Sequence, residues 1–226
     1  MSNFIGNAER EKLILVDFIC HGVPSQEMFD KSIISWENRH RTRVNSFSFR
    51  HKCVSDKTEA GLHHWKLDTY DGRSFAGRSV KFPYYYTYLQ YMFFRPSCYK
   101  CAYAKVDRCT DLTLGDFWGL YKIESMDISE FNRGYSMLIV NNTKGRNLLD
   151  SLDIKIKPYP LETAIKNNYA YVNPTIQSDI SKSFYKDFSV LSWHDLERKY
   201  MIFKTGLFHK GIRFIKRKFY KLFSKC

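Results

Sequence analysis

The sequence predicts a mixed α/β domain: a central mixed sheet flanked by helices, followed by a basic helical extension. Three observations predict it. Apolar runs rich in branched residues, LILVDFI at 13–19 and GYSMLIVNN at 134–142, have the length and texture of buried strands. Alternating segments, NSFSFRHK at 45–52 and HHWKLDTYDGRSFAG at 63–77, read as antiparallel strands. Between and after these lie stretches with apolar residues at helical spacing, the last of them strongly basic.

In chain order, LILVDFI is expected to be a strand buried on both faces and ending at the turn Cys20-His21-Gly22. Pro24-Ser25 then opens a helix, because Met28, Phe29, Ile33 and Trp36 recur on one face. Phe47 and Phe49 share a strand face, and Asp71-Gly72 supplies a hairpin turn. FPYYYTYLQYMFFRPS, 82–97, has Tyr85, Tyr88, Tyr91 or Met92, and Phe94 near a helical period, as in a packed core helix or a wall against a flat cofactor ring. DLTLGDFWG, 111–119, reads as a strand running into a glycine-rich corner. KGRNLLDSL is helix-like, IKIKPYP (154–160) a short strand, LETAIKNN a short helix, and 178–201 helical again behind a Ser/Asp cap. No internal repeat or low-complexity linker interrupts the chain, so the division is a domain of residues 1–200 and a tail of 201–226.

With 226 residues, 44% apolar and 17% aromatic, the chain can bury a substantial core. No segment approaches the roughly 20 continuous apolar residues of a membrane span, and MSNFIGNAEREK lacks the pattern of a signal peptide. A cytoplasmic protein is expected. In that reducing compartment the six cysteines are thiols or metal ligands before they are disulfides.

The net charge of +13 is concentrated at one end. Residues 201–226 hold eight Lys/Arg and no Asp/Glu, leaving 28 basic against 23 acidic residues, +5, for the remainder. In the tail, Phe208, Ile212, Ile215, Phe219 and Leu222 share one helical face beside Lys210, Arg213, Lys216, Arg217, Lys218 and Lys221. Such a basic amphipathic helix suits an anionic membrane surface, which would make the protein peripheral to the inner face of a membrane, or a dock on its own domain. Aromatics confined to one face disfavour nucleic acid.

The cysteines carry the chemistry. Cys98-x2-Cys101 gives two thiolates the bite needed by zinc or by a cluster iron, and Cys109 follows after seven residues. A zinc ribbon would add a second close pair, which the chain lacks: His63-His64 are adjacent, and His194 and His209 stand alone. Cys20, at a strand exit, is the distant candidate for a fourth ligand and otherwise a small apolar filler. Cys53 and Cys226 have no cysteine neighbours. An iron–sulfur cluster, zinc and inert thiols all remain readings of the spacing alone. No Ser/His/Asp triad, paired-carboxylate pattern or P-loop appears, which leaves hydrolase and kinase readings without support.

Three segments, DFICHGVPS (17–25), RPSCYKCAYAKVDRCTDLTLGDFWG (95–119) and YSMLIVNNTKG (135–145), occur in an order that strongly resembles the C-terminal domain of the beta subunit of coenzyme F420 hydrogenase/dehydrogenase. The later NPTIQSDISKSFYKDF resembles that family's closing segment. The resemblance implies electron transfer between a 4Fe-4S cluster and FAD, with hydride passing between FAD and a partner such as the deazaflavin F420. It implies Cys98, Cys101 and Cys109 as cluster ligands, joined by Cys20 of the C-H-G turn. It also places His21, Gly22, Gly115, Asp116 and Trp118 in motif positions around the cofactor. Gly115 and Gly119 would serve tight turns or close approach to a ligand. Similar proteins include bacterial ones in cell-surface polysaccharide loci, so a catalytically degenerate or zinc-stabilised interaction module in polysaccharide assembly is the alternative. Family members usually carry an upstream region with ferredoxin-type cysteine motifs. Here twelve residues precede the first strand, so the chain is read as a C-terminal portion, either a truncated gene product or one half of a split protein whose partner would be an N-terminal-half or electron-donor protein.

Overall fold

The computed structural model describes residues 6, 9, 11–52 and 63–201. Cys53, Cys226 and the basic tail from 202 onward lie outside them. The fold is mixed α/β, and the six strands among the described residues are divided between two three-stranded sheets.

The first sheet has the order β1 (Val16–Phe18), β5 (Leu112–Asp116), β6 (Ser136–Val140). β1 runs parallel to β5, with Val16 opposite Leu112, while β6 is antiparallel, with Leu112 opposite Val140. One face packs Ile19, Met137 and Ile139 against Ala164 of α5 (Leu161–Ile165) and Tyr171 of α6 (Tyr169–Val172). The other face is largely bare. Val16 is 49% exposed, Phe18 67% and Leu114 39%, so the expected doubly buried first strand is instead a three-residue edge strand covered on one side.

The second sheet is an antiparallel meander of β2 (Val44–Phe49), β3 (His64–Thr69) and β4 (Ser74–Arg78). Strict alternation along β3 buries Trp65, Leu67 and Thr69, and cross-strand pairing sets Phe47 opposite Leu67 and Phe49 opposite Trp65. Trp65 donates its indole N–H to the Arg78 carbonyl at 3.0 Å, so the ring is buried with its polar atom satisfied. The Asp71-Gly72 hairpin forms as expected. Gly72 takes φ 82°, and the Asp71 carboxylate accepts from Thr42, Thr69 and Arg73, which hold it well below the usual carboxylate range, Arg73 most strongly.

Over this sheet lie α1 (Gln26–His40) and α2 (Pro83–Leu89), with α7 (Asp179–Phe188) and α8 (Trp193–Leu196) closing the aromatic core. Met28, Trp36, Leu67, Phe82, Tyr84, Tyr85, Phe93 and Phe184 are all buried there. Glu197 is buried too, but its carboxylate takes both Arg39 (2.9 Å) and Ser35 (2.8 Å) of α1.

Three further expectations change. The aromatic helix stops at Leu89, because Tyr91 takes φ 58° and the chain turns to pair Phe94 with Pro24. Residues 154–160 form no strand, having no neighbouring strand to complete a ladder, and Ile154 and Ile156 stay exposed. The helix expected over 178–201 breaks at Ser189–Ser192, where the Ser192 hydroxyl accepts from the Asp195 N–H and caps a new helix. The shorter α3 (Ile128–Arg133) carries a complete capping box of Asp127 and Glu130, and α4 (Thr143–Asp150) is capped by Asn142.

Candidate functional site

β1 delivers the chain to the turn Cys20–Pro24. Gly22 has φ 137°, and a Cβ there would sit 2.2 Å from Cδ2 of Phe94, so the turn closes only around glycine. The partner segment is locked on by three contacts: the Pro24–Phe94 bridge, the Arg95 N–H to the Val23 carbonyl at 2.8 Å, and the Val23 N–H to Sγ of Cys98 at 3.4 Å. Residues 75 positions apart are thereby joined, and the Cys98 thiol is brought to the turn that carries Cys20.

Around this turn is an aromatic box. The His21 ring packs on Tyr91 (4.6 Å between centroids), Tyr88 (5.1 Å) and the edge of Phe94 (5.6 Å), and its buried Nε2 finds no hydrogen-bond partner. Burial above all, reinforced by the charges of His63 and Arg50, lowers its pKa from 6.5 to about 4, so the imidazole is neutral at pH 7. Burial also pushes Tyr88 up to about 12, helped by the nearby Cys20. Behind the box, the Tyr99 hydroxyl donates to the Tyr91 carbonyl (2.7 Å), accepts from the Phe94 N–H (3.1 Å) and meets the Ser181 hydroxyl, while Tyr185 donates to the Phe94 carbonyl. The wall therefore works as packing, tied to α7.

The rest of the cysteine loop leads away. Cys101 follows the short turn of Pro96–Lys100, and the chain then runs to the amino end of β5, where Arg108 is clamped. Its guanidinium donates to Asp17 Oδ2 (2.8 Å) and the Tyr171 carbonyl (3.2 Å) and lies over the Tyr171 ring. Asp111 is tied to β1 by exchange with Leu15, and Asn141 and Asn142 tie the β6–α4 turn to Thr113 and Asp111. Cys109 thus precedes the start of β5, whereas Cys20 follows the end of its parallel neighbour β1. The loop spans the two ends of the strand pair.

Cys20, Cys98, Cys101 and Cys109 are all free thiols, Cys20 and Cys109 exposed and the other two half-buried. As donors they suit an iron–sulfur cluster or zinc. Their placement does not, because among the described residues no three His, Cys, Asp or Glu side chains converge on one metal position. The four cysteines are not gathered around one point in the loop as it is folded here.

Asp116, Trp118 and the two glycines serve the junction of the sheets. Asp116 pairs with Arg50 at 3.0 Å, and Arg50 lies over the Trp118 ring, on which His63 also stacks at 5.4 Å. Gly115 packs beneath Ile19 and Met137. Gly119, at φ 85°, faces Asn167, whose amide caps the Trp118 carbonyl, so the close approach expected there is made by a side chain of the protein. Sequence reasoning missed Arg50, His63 and Arg108. Arg108 could have been noticed as the basic residue beside a candidate ligand; Arg50 gave no signal beyond ending a strand.

The described residues form a mixed α/β domain in which a thiol-bearing turn at the carboxyl end of a strand meets a C-x2-C segment. Residues 3–159 match the family described as the C terminus of the beta subunit of coenzyme F420 hydrogenase/dehydrogenase, and the chain belongs to that family. Neither curated proteins nor solved structures gave a match.

Proposed function

We infer that the chain is an electron-transfer domain acting with an iron–sulfur cluster and a flavin, as an oxidoreductase subunit or part of one. The observation that carries this reading is the Val23 N–H to Cys98 Sγ contact, which unites the C-H-G turn and the C-x2-C segment. Amide N–H donation to sulfur is a recognised means of tuning a cluster's potential. Cys98, Cys101, Cys109 and Cys20 are the residues that would hold the cluster. Because Cys109 stands at the other end of the strand pair, loading would require the 102–109 segment to refold toward the turn, in the way metal binding is generally coupled to local folding. The cluster would supply one-electron chemistry and FAD both one- and two-electron chemistry. His21, Gly22, Gly115, Asp116 and Trp118 would shape and dry the surroundings: His21 as a neutral imidazole, and Gly22 by admitting Phe94.

A second reading, a redox fold reused as an interaction module in polysaccharide assembly, is favoured by the divergence of the ligands. Anaerobic purification with iron, sulfide, zinc and flavin analysis separates the two. Stoichiometric iron and sulfide, lost in Cys98→Ser and kept in Cys53→Ser, supports the redox reading; iron-free protein refutes it, and zinc alone assigns a zinc-stabilised module.

A further inference from the structure

The ends of the two sheets meet at a second place, away from the cysteine loop. A cleft of about 340 Å³ lies between the end of β2 and the α3–β6 corner, with Arg50, Lys52 and Arg133 in its wall. Only one carboxylate, Asp116, lines it among the described residues, and that carboxylate is paired with Arg50 at 3.0 Å. Lys52 donates to the backbone carbonyl of Arg133, a contact that leaves its charge unneutralised, and both residues line the same cleft. None of the ion pairs seen among the described residues includes Arg133. Among the described residues three solvent-exposed cations stand against one anion, a net charge of about +2 gathered in one concavity, which focuses a positive potential there. A dianion is attracted to such a potential. Phe49 and Tyr135, 42% and 49% exposed, stand in the same wall and offer aromatic surface beside the charges.

We propose that this cleft binds the phosphate or diphosphate group of a small molecule, with Lys52 and Arg133 as the anion-binding residues and Phe49 and Tyr135 flanking a planar group. Arg50 holds the site to the rest of the molecule through Asp116 and the face of Trp118. The proposal uses none of the cysteines; its flavin outcome rests on the proposed function, and its nucleotide outcome goes beyond it. Two sources share the required chemistry, a nucleotide substrate and a flavin dinucleotide, and titration separates them.

The test is calorimetric titration of the full chain at low salt with inorganic pyrophosphate, ADP and FAD. Pyrophosphate is expected to bind, and Lys52→Ala and Arg133→Ala are each expected to weaken it at least tenfold, about 1.4 kcal/mol. Lys182→Ala, on α7 and paired with Asp179, serves as the control and should change nothing. FAD binding more tightly than ADP assigns the cleft to the flavin, ADP at least as tight as FAD assigns it to a nucleotide, and equal affinities for all three assign a bare diphosphate site. No pyrophosphate binding, or equal binding in all variants, overturns the proposal. Iron content of the same preparations separates the two readings: iron-free protein that binds pyrophosphate refutes only the cluster, and iron-loaded protein that does not bind it refutes only the cleft.

Discussion

Replacing Gly22 by alanine tests the geometry of the cysteine turn most directly. The added Cβ would lie 2.2 Å from Phe94 Cδ2 and 2.4 Å from Cε2, and Phe94 is fully buried between His21, Tyr88, Tyr91 and Tyr99, so its ring has little room to retreat. The backbone adds a second cost, since φ 137° is a region that side chains rarely adopt. Positive-φ strain costs about 1–3 kcal/mol and overpacking of a filled core about 1–3 kcal/mol, so Gly22→Ala should destabilise the domain by about 4 kcal/mol. Gly72→Ala is the internal control: its φ of 82° carries the backbone cost, but nothing lies within 4 Å of the new Cβ. Urea denaturation followed by tryptophan fluorescence should show the Gly22 variant losing at least about 1 kcal/mol more than the Gly72 variant. Equal losses would refute the packing of Phe94 against the turn, and with it the link between Cys98 and the strand exit.

Arg108→Ala should cost about 3 kcal/mol, because it strands the half-buried Asp17 carboxylate of a pair whose arginine side chain is 4% exposed; a combined Arg108→Met, Asp17→Leu variant should recover most of this in the same urea assay. The pH dependence of stability carries the signature of His21. Its folded pKa of about 4 lies below the unfolded 6.5, so the unfolded chain binds the extra proton between these values; stability is complete above 6.5 and falls by up to about 3 kcal/mol as pH drops toward 4, and His21→Gln should flatten that slope. Deleting residues 203–226 is expected to abolish sedimentation with anionic liposomes, and unchanged sedimentation would remove the membrane role of the tail.

What could be read from the chain depended on how local its cause was. The α1 helix, the Asp71-Gly72 hairpin and the β3 alternation are written in neighbouring residues and formed as expected. The exposure of Val16 and Phe18 was not legible, because an apolar run looks the same whether one face of its sheet is covered or both are. The break at Ser189–Ser192 arises from a serine cap inside an otherwise continuous apolar period, where two signals conflict. At the site, the order of motifs gave the right family, and Cys20 and Cys98 do sit on touching segments. The position of Cys109 was set by Arg108 and Asp17, a pair 91 residues apart whose meeting no spacing rule announces.

The two sheets keep separate interiors: a large aromatic one around Trp65, Phe82 and Phe93, and a small one in which Met137 and Ile139 meet Ala164 and Tyr171. A protein built this way is expected to show more than one threshold for amide exchange. The small interior, holding fewer apolar side chains, opens first, and the segment carrying Cys109 is rooted in it through Tyr171. Amides of the segment carrying Cys109 are therefore expected to exchange before those of the tryptophan-lined half.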